Sequence, residues 1–381
     1  MALSNMICIR DLEVAAKSIL SKTVLEYFND GSEEGLAVAS NLSAFDKYKI
    51  RQRVLRDVSN VKTEKKAFGK TMSFPLAIAP SGMQCMAHEN GERATARAAT
   101  KAGVFMGVST FATTALEDVK RSGDEFGENV YLLQLYIFKN RKTTENLVKR
   151  AEKAGYKGIL LTCDTPKLGN RYNMTRNNFK LPPHLNLPNF GKEKVGPLIQ
   201  HVVGDGSKQE DDSNINDDSI TWDEALPWLR SITNMEIWLK GISTAEDVRL
   251  AAQSPANVAG IVVSNHGGRQ LESAMATLDS LPECVQAAKS GNRPLQVWVD
   301  GGIKKGSDIF KALALGADGV MIGRIPLWGL AIAGEQGVSK ALEILKAEFQ
   351  HTMALAGCKT LSDITPSSLA RVTEGGFYAK L

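Results

Sequence analysis

The chain has 381 residues, of which 43% are hydrophobic and 23% are charged, and its formal net charge is +4. This composition supports a large buried core and excludes a disordered chain, and the length is typical of an α/β barrel. The basic residues form no long run, so we do not expect nucleic acid as a partner. No apolar run is long enough to span a membrane, and the first residues lack a cleavable signal pattern. We therefore expect a soluble intracellular protein.

Cysteine usage favours a reducing compartment. The five cysteines are scattered and odd in number, without the spacing of a disulfide framework or of a metal site. They are Cys8, Cys85, Cys163, Cys284 and Cys358. We expect no bound metal.

Roughly the first 60 residues are predicted to form a helical extension. Apolar residues recur at helical spacing from Leu12 to Leu20 and again from Val24 to Phe28. The sequence Asn29-Asp30-Gly31 is a helix stop signal. Tyr27 lies on the second helix, where the default expectation is a core aromatic with its hydroxyl at the rim.

From Pro75 onward, short apolar runs alternate with amphipathic stretches. The runs are Leu76–Ala79, Val104–Val108, Val130–Leu135, Gly158–Thr162, Ile237–Leu239, Gly260–Val263, Val297–Val299 and Gly319–Ile322. The stretches between them are Glu92–Ala102, Leu116–Arg121, Thr143–Gly155, Thr244–Gln253, Leu278–Lys289 and Ser307–Gly316. Strands that alternate with helices in this way predict a (β/α)8 TIM barrel over about residues 75–335. We expect a helical tail over about residues 336–381, and one domain over residues 1–381.

A doubly wound open sheet is the alternative architecture. Its dinucleotide-binding turn, Gly-x-Gly-x-x-Gly after the first strand, is missing, because Ala79-Pro80-Ser81-Gly82-Met83-Gln84 stands there. The barrel is therefore the preferred interpretation.

The interval after the fourth strand, from Thr162 to Ile237, is much longer than the others. It contains Pro182-Pro183 and a run from Gly204 to Ser213 that is too polar to fold by itself. A mobile lid over the mouth of the barrel and a surface loop without function both stay open as interpretations. After the eighth strand, Val338–Gly357 is strongly amphipathic and predicts a helix.

The sixth strand ends in the most informative turn of the chain. The apolar run to Val263 breaks into Ser264-Asn265-His266-Gly267-Gly268-Arg269-Gln270. His266 can exchange a proton near neutral pH, and Arg269 can hold a carboxylate by two parallel hydrogen bonds. A structural histidine in an ordinary turn is the alternative, but the coincidence of His, Gly-Gly and Arg makes it less attractive.

Nearly every other strand also ends in polar side chains, where catalytic groups gather in this fold. These ends carry Pro80, Ser81 and Gly82; Ser109, Thr110 and Phe111; Gln134 and Tyr136; Thr162, Asp164 and Arg171; Lys240; Asp300, Gly301 and Gly302; and Gly323 and Arg324. The last two ends, with Lys304, fit a phosphate site. Hydroxyl and amide groups on strands two to four suit a flat heteroaromatic ring. Lys240 either places a charge beside that ring or forms a peripheral ion pair.

The turn Ser264–Gln270 resembles the signature of the FMN-dependent (S)-2-hydroxy-acid oxidising family. This family includes glycolate oxidase, lactate oxidase, mandelate dehydrogenase and the flavocytochrome-type lactate dehydrogenases. The similarity extends over almost the whole chain and is closest to glycolate oxidase. Supporting segments are Gln134-Leu135-Tyr136, Leu161-Thr162-Cys163-Asp164-Thr165-Pro166, Leu168-Gly169-Asn170-Arg171, Leu239-Lys240-Gly241, Asp300-Gly301-Gly302 and Ile322-Gly323-Arg324.

The resemblance implies oxidation of a 2-hydroxy acid to a 2-oxo acid, with electrons passed to dioxygen to give hydrogen peroxide. It makes His266 the active-site base and Asp164 the partner that stabilises the imidazolium. It assigns the substrate carboxylate to Arg171, Arg269 and Tyr27, and the reacting oxygen to Tyr136. Whether the α-hydrogen leaves as a hydride or as a proton stays open at this point.

The resemblance also implies FMN as the cofactor. Its isoalloxazine would contact Ser109, Gln134, Thr162 and Lys240, its ribityl chain Asp300, and its phosphate Gly302, Lys304, Gly323 and Arg324. The cofactor site would further include Pro80, Ser81, Gly82, Ser264 and Gly301.

Three residues depart from the family pattern. Lys304 stands where Arg is more frequent, so a point charge replaces a forked phosphate contact. Phe111 stands where glycolate oxidases often carry Trp, which puts glycolate itself in doubt as the substrate. Gly82 replaces a frequent Ala beside the flavin, and relatives with Gly there include dehydrogenases and a monooxygenase. Transfer of electrons to another acceptor is therefore the alternative function. A catalytically silent flavin-binding protein is disfavoured by the intact His266 and Asp164.

The last three residues, Ala379-Lys380-Leu381, resemble the Ser-Lys-Leu peroxisomal address. They predict a peroxisomal import receptor as a partner and a peroxisomal location, where peroxide-producing chemistry is at home. The family resemblance alone implies a homotetramer or octamer.

Overall fold

A computed structural model of the protein describes residues 2–191, 216–291, 293–373 and 378–380. The polar run from Gly204 to Ser213, predicted as part of a lid or a surface loop, lies outside these residues, as does Leu381. Within the described residues, no helix is both long enough and apolar enough to cross a membrane.

The N-terminal extension begins with helices α1 (Ile9–Ile19), α2 (Lys22–Asn29) and α3 (Leu36–Ser43). Helix α2 ends at the predicted stop signal. The expectation of a wholly helical extension is wrong further along, because Tyr48–Ile50 is a strand paired antiparallel with Leu369–Val372. Tyr378–Lys380 adds a third strand, so the tail is not wholly helical either. These strands are stabilised by pairing between distant segments, which local periodicity does not reveal.

Eight parallel strands form a closed barrel. They are β1 (Leu76–Ile78), β2 (Phe105–Val108), β3 (Tyr131–Leu135), β4 (Gly158–Thr162), β5 (Glu236–Ile242), β6 (Val258–Val263), β7 (Gln296–Val299) and β8 (Gly319–Ile322). Each strand pairs with the next along the chain, and β8 returns to β1 where Val320 pairs with Leu76. The predicted (β/α)8 barrel is confirmed. The doubly wound sheet is wrong, because such a sheet leaves two edges unpaired.

Further helices follow along the chain, most of them between successive strands of the barrel. They are α4 (Gly91–Ala102), α5 (Leu116–Asp124), α6 (Arg141–Ala154), α7 (Tyr172–Arg176), α8 (Trp222–Ile232), α9 (Ala245–Gln253), α10 (Thr277–Ser290), α11 (Gly306–Ala314) and α12 (Arg324–Ala356). Helix α8 lies in the long interval after the fourth strand, where the sequence analysis predicts no helix, and it contains Pro227 in its interior. Helix α12 contains the predicted amphipathic segment and is interrupted at Ala333 and Gly334, whose backbone is not helical.

Aromatic side chains fill the amino-terminal end of the barrel interior. Trp238 of β5 and Trp298 of β7 meet edge to face, with ring centroids 6.1 Å apart. Phe68, in the turn of the hairpin Lys65–Met72, lies against Trp238 and next to Gly158, the first residue of β4. This packing closes one end of the barrel, and the polar strand ends at the other end surround a cavity.

Candidate active site

A cavity of about 510 Å³ lies at the carboxyl-terminal ends of the strands. All the predicted site residues line it except Asp164 and Ser264, which contact residues that do. The predicted residues that line it are Tyr27, Pro80, Ser81, Gly82, Ser109, Phe111, Gln134, Tyr136, Thr162, Arg171, Lys240, His266, Arg269, Asp300, Gly301, Gly302, Lys304, Gly323 and Arg324. Closure of the barrel thus brings together residues that lie far apart along the chain.

The cavity has two chemically different ends. One end contains His266, Arg171, Arg269, Tyr27 and Tyr136, with Asp164 behind His266, and is called the His266 end below. The other contains Gly301, Gly302, Lys304, Gly323 and Arg324 and is called the Lys304 end. The wall between them carries Ser109, Gln134, Thr162, Lys240 and Asp300.

At the His266 end, His266 and Asp164 form a hydrogen-bonded pair. Nδ1 of His266 lies 2.9 Å from Oδ1 of Asp164. Because an ionised carboxylate only accepts hydrogen bonds, Nδ1 carries the hydrogen of this contact. Nε2, on the opposite edge of the ring, is then the nitrogen that can accept a proton. The side chain of His266 is 22% exposed, so the ring is reachable from the cavity.

The surroundings of the pair favour a neutral imidazole next to an ionised carboxylate. Burial lowers the pKa of His266 below its ordinary value, against the opposing effect of Asp164. Burial alone would raise the pKa of Asp164, but His266, and then Lys240, lower it overall. A histidine that is neutral at neutral pH is what a general base requires.

The turn that carries His266 adopts an unusual backbone. His266 has a φ of +60°, followed by Gly267 at +63° and Gly268 at +78°. The backbone N–H of His266 donates to Ser264 Oγ, 3.0 Å away. This hydrogen bond stabilises the left-handed backbone conformation of His266. A Cβ on Gly268 would lie 2.6 Å from the backbone nitrogen of Val38. Gly268 is therefore required by the approach of helix α3, a contact with the protein itself.

The space beside His266 is surrounded by the buried Arg171, the partly buried Arg269 and two tyrosines. Arg269 Nη1 donates to the carbonyl oxygen of Tyr27 at 2.7 Å, and its guanidinium lies 5.4 Å from the centre of the Tyr27 ring. Burial, and then the nearby Arg269, lower the pKa of Arg171 to about 9. Burial raises the pKa of Tyr136, so its hydroxyl stays protonated. Two partly desolvated cations in one pocket favour a bound anion such as a carboxylate.

The wall between the two ends is a connected set of polar groups. Gln134 Nε2 donates to Thr162 Oγ1 at 3.0 Å, and its Oε1 accepts from the backbone N–H of Thr110 at 3.1 Å. Ser109 Oγ lies 3.4 Å from the same Oε1. These bonds fix the amide and the hydroxyls along one face of the cavity, where they can meet the edge of a flat ring.

Lys240 lies on this wall and is only 4% exposed. Its Nζ is 3.5 Å from an oxygen of Asp300 and donates to Ser264 Oγ at 3.1 Å. Burial lowers the pKa of Lys240, but the nearby carboxylates of Asp300 and Asp164 together outweigh this effect and raise the pKa overall. The ion pair considered from the sequence is therefore present, but it is buried and not peripheral. Ser264 supports Lys240 and the His266 turn from behind the wall.

At the Lys304 end, each cation is already engaged by protein oxygens. Lys304 Nζ lies 2.7 Å from Glu13 of helix α1 and 5.2 Å from the centre of the Trp328 ring. Arg324 donates to the backbone carbonyls of Phe28, Gly267 and Asp30, at 3.2, 3.0 and 3.3 Å. A phosphate bound here would share these cations with the protein.

Gly301 and Gly302 at the same end have φ values of +93° and +79°. A Cβ on Gly302 would overlap the carbonyl of Asn41, and one on Gly301 would lie 2.8 Å from Thr277 Oγ1. Both glycines therefore have a packing reason in addition to any contact with a ligand.

Several residues that organise the site escape the sequence argument. The hydroxyl of Thr165 contacts Asp164, and the side chain of Gln270 contacts Gly169. Glu13 forms an ion pair with Lys304. Thr165 directly follows Asp164 and Gln270 directly follows Arg269, and this adjacency is a sequence signal for a supporting role. Glu13 lies far from Lys304 in sequence and carries no such signal.

Residues 16–371 match the family described as FMN-dependent dehydrogenase. The chain belongs to this family, its cofactor is FMN, and it is an oxidoreductase. This confirms the family inferred from the turn Ser264–Gln270.

Individual relatives cover nearly the whole chain. A 2-hydroxyacid oxidase 1 of Mus musculus is 42% identical over 363 residues, 95% of this chain and 96% of that protein. A glycolate oxidase of Spinacia oleracea is 43% identical over 367 residues, 96% of each chain. The crystal structure of mandelate oxidase with benzoyl-formic acid is similar with a TM-score of 0.83 and 36% identity, covering 94% of this chain and 97% of that one.

Proposed function

We propose that this enzyme oxidises a small (S)-2-hydroxy acid to the 2-oxo acid and passes the two electrons to dioxygen. One 2-hydroxy acid and one dioxygen then give one 2-oxo acid and one hydrogen peroxide. The observation that carries the proposal is the pair His266–Asp164 beside Arg171 and Arg269 in one cavity. The pair can take a proton and the arginines can hold a carboxylate, so each functional group of a 2-hydroxy acid has a partner. The names of the relatives, 2-hydroxyacid oxidase and glycolate oxidase, support the same reaction.

In this proposal the substrate carboxylate binds to Arg171, Arg269 and the Tyr27 hydroxyl. Two fixed cations orient the substrate so that its α-carbon faces the wall between the two ends of the cavity. This orientation lowers the entropic part of the activation barrier. Tyr136, which stays protonated, donates to the oxygen that becomes the carbonyl. Nε2 of His266 accepts a proton from the substrate, and Asp164 stabilises the imidazolium that forms.

The residues of the wall and of the Lys304 end fit FMN. When bound, FMN supplies the two-electron acceptor that dioxygen reoxidises. Gln134, Thr162, Ser109 and Lys240 would hold the ring system, and the charge of Lys240 would favour a reduced, anionic ring. Oδ1 of Asp300 is buried and has no hydrogen-bond partner among the described residues, so it can accept from a ribityl hydroxyl.

Lys304 and Arg324 would hold the phosphate, together with the backbone around Gly302 and Gly323. Pro80, Ser81 and Gly82 would form the wall on the far side of the ring.

The pocket for the substrate side chain is bounded by Phe111, which is 5% exposed. Its ring lies 5.8 Å from that of Tyr136 and 5.2 Å from that of Phe190, measured between centroids. Because Phe is smaller than Trp, we propose lactate or a longer 2-hydroxy acid as the substrate in preference to glycolate.

A second candidate function keeps the substrate chemistry but transfers the electrons to another acceptor, or retains the peroxide as a monooxygenase does. It is favoured by Gly82, whose missing Cβ would otherwise lie 3.1 Å from the carbonyl oxygen of Phe111. The space left by this glycine borders the cavity where the ring binds, so residue 82 is placed to affect how oxygen reacts.

One experiment separates these functions. The purified protein should be yellow, and peroxide release should be measured with glycolate, lactate and longer (S)-2-hydroxy acids, beside reduction of an artificial electron acceptor. An oxidase releases one peroxide per 2-oxo acid formed. Acceptor reduction without peroxide indicates the second function, and no turnover with any acid contradicts both.

We further propose peroxisomal import and assembly into a homotetramer or octamer. Import is supported by the sequence Ala379-Lys380-Leu381, and assembly by membership of the family. A fluorescent fusion with and without the last three residues tests the first, and light scattering of the purified enzyme tests the second.

A further inference from the structure

We propose that Thr165 is a positioning residue that lowers the basicity of the His266–Asp164 pair through its hydroxyl group. The inference rests on the proposed role of His266 as the base. Thr165 Oγ1 lies 3.1 Å from Oδ1 of Asp164 and 3.5 Å from Nδ1 of His266. The same Asp164 oxygen therefore meets both the threonine and the histidine.

The direction of these hydrogen bonds follows from the chemistry of the groups. The ionised Asp164 can only accept, so the Thr165 hydroxyl donates to it, as does Nδ1 of His266. A second donor on the same oxygen draws electron density away from the contact with His266. Asp164 then stabilises the imidazolium less, and the pKa of His266 is lower than it would be without the hydroxyl.

Thr165 is itself held in place. It is 4% exposed, and its carbonyl oxygen accepts from Asn216 Nδ2 at 2.9 Å. Asn216 forms an isolated antiparallel bridge with Phe138, just after β3. The segment that returns the chain from the long insertion is thereby linked to the residue beside the pair. The backbone of Thr165 is held in this way, so its side chain starts from a fixed position next to Asp164.

Other charged groups near the pair also influence the pKa of His266. Lys240 and Arg171 lower the pKa of His266, whereas Asp164 raises it. Tyr136 is neutral, since burial and Asp164 raise its pKa. None of these groups is altered when the hydroxyl of Thr165 is removed, so a change in titration reports on that hydroxyl.

The test is the pH dependence of kcat/KM for the 2-hydroxy acid, measured for Thr165→Val and Thr165→Ser. Valine has the shape of threonine without the hydroxyl, whereas serine keeps it. In Thr165→Val we expect the acidic limb to move to higher pH by about half a unit to one unit, the range of a single hydrogen-bond change. Thr165→Ser should keep the limb of the unaltered enzyme. Thr165→Ala removes the same hydroxyl and replaces the valine variant if that variant does not hold FMN.

A matched control is Thr95→Val. Thr95 is fully buried and donates to Gln84 Oε1 at 2.6 Å, away from the pair. The acidic limb of the kcat/KM profile of Thr95→Val should lie at the same pH as that of the unaltered enzyme. This result would show that loss of a buried hydroxyl elsewhere does not move the limb. Coincident limbs for the unaltered enzyme and Thr165→Val overturn the inference, and so does an equal shift in Thr165→Ser or Thr95→Val. An unaltered enzyme without any acidic limb points instead to failure of the base assignment.

Discussion

The His266 end and the Lys304 end of the cavity differ in how their charged groups are committed. At the His266 end, Asp164 orients His266 and leaves Nε2 available as a base. At the Lys304 end, Lys304 is paired with Glu13 and Arg324 with backbone carbonyls. At the first end the proposed base is free to accept a proton, although Arg269 donates to backbone carbonyls as Arg324 does at the second end. At the second end both cations are engaged, so a ligand must share them with the protein. Changes at the first end should alter rate, and changes at the second should alter cofactor binding.

The ends are nevertheless connected. Arg269 of the first end and Arg324 of the second both donate to the carbonyl oxygen of Asp30, at 3.2 and 3.3 Å. The C-terminus of helix α2 thus sets the positions of one arginine at each end. Only substitutions that leave this turn intact can alter one end of the cavity without altering the other.

The largest effect is expected for His266→Gln, which removes the base but little volume. The rate of flavin reduction by substrate should fall by on the order of 10²-fold or more, because the substrate proton loses its acceptor. FMN content, measured by visible absorbance, should stay near that of the unaltered enzyme, since the Lys304 end is untouched. Reduction at a near-normal rate would show that another group is the base.

Phe111→Trp should change substrate preference at the His266 end. A larger ring reduces the space for the substrate side chain, so the ratio of kcat/KM for glycolate to that for lactate should rise. A methylene in an apolar pocket is worth about 10–200-fold in specificity, which bounds the change. Steady-state kinetics with both acids measure it. An unchanged ratio would mean that residue 111 does not bound the side-chain pocket.

The pH dependence of kcat/KM tests the electrostatics of the same end. Because the pKa of His266 is lowered, the base is neutral at pH 7 and activity should be level there. As pH falls through the lowered pKa, which lies below the ordinary value of about 6.5, the base is protonated and activity should fall about tenfold per pH unit. Measured values belong to the His266–Asp164 pair as a unit. An acidic limb with an apparent pKa above the ordinary histidine value of about 6.5 would contradict a lowered pKa of His266.

Lys304→Gln addresses the other end. Loss of a cation from the proposed phosphate site should weaken FMN binding by about tenfold or more, the order expected for one charged hydrogen bond. The neighbouring Lys305→Gln makes the same change of charge at an exposed side chain that does not line the cavity, and it should bind FMN normally. Titration of the apo-protein with FMN, followed by fluorescence, compares the two. Equal affinities would remove Lys304 from the phosphate site.

The smallest effect is expected for Gly82→Ala. The added methyl group should change reoxidation by dioxygen more than reduction by substrate, and only by a few-fold, because it borders the ring site and removes no charged or hydrogen-bonding group. Its Cβ would lie 3.1 Å from the carbonyl oxygen of Phe111, so the loop after β2 has to shift slightly. Stopped-flow traces of the two half-reactions separate the steps. An equal change in both would show that the shift of this loop dominates.

The sequence predicted the barrel well. Strands β4 and β8, for example, are continuous apolar runs, and the first and last residues of each run can be recognised from the sequence alone. It also predicted the cavity residues, since parallel strands end on the same side of a barrel. It could not predict how Lys304 and Arg324 are engaged, because Glu13 and the carbonyl of Phe28 come from a separate part of the chain. Helix α8 was not predicted, because it lies in the long interval after the fourth strand, which was interpreted only as a lid or a surface loop.

The central claim is tested most directly by mixing the yellow enzyme with an (S)-2-hydroxy acid without oxygen, and then admitting air. The account predicts that (S)-lactate or a longer acid bleaches the flavin absorbance, and that air restores it with one peroxide released for each flavin. A protein that binds FMN but keeps its absorbance with every 2-hydroxy acid would contradict the account.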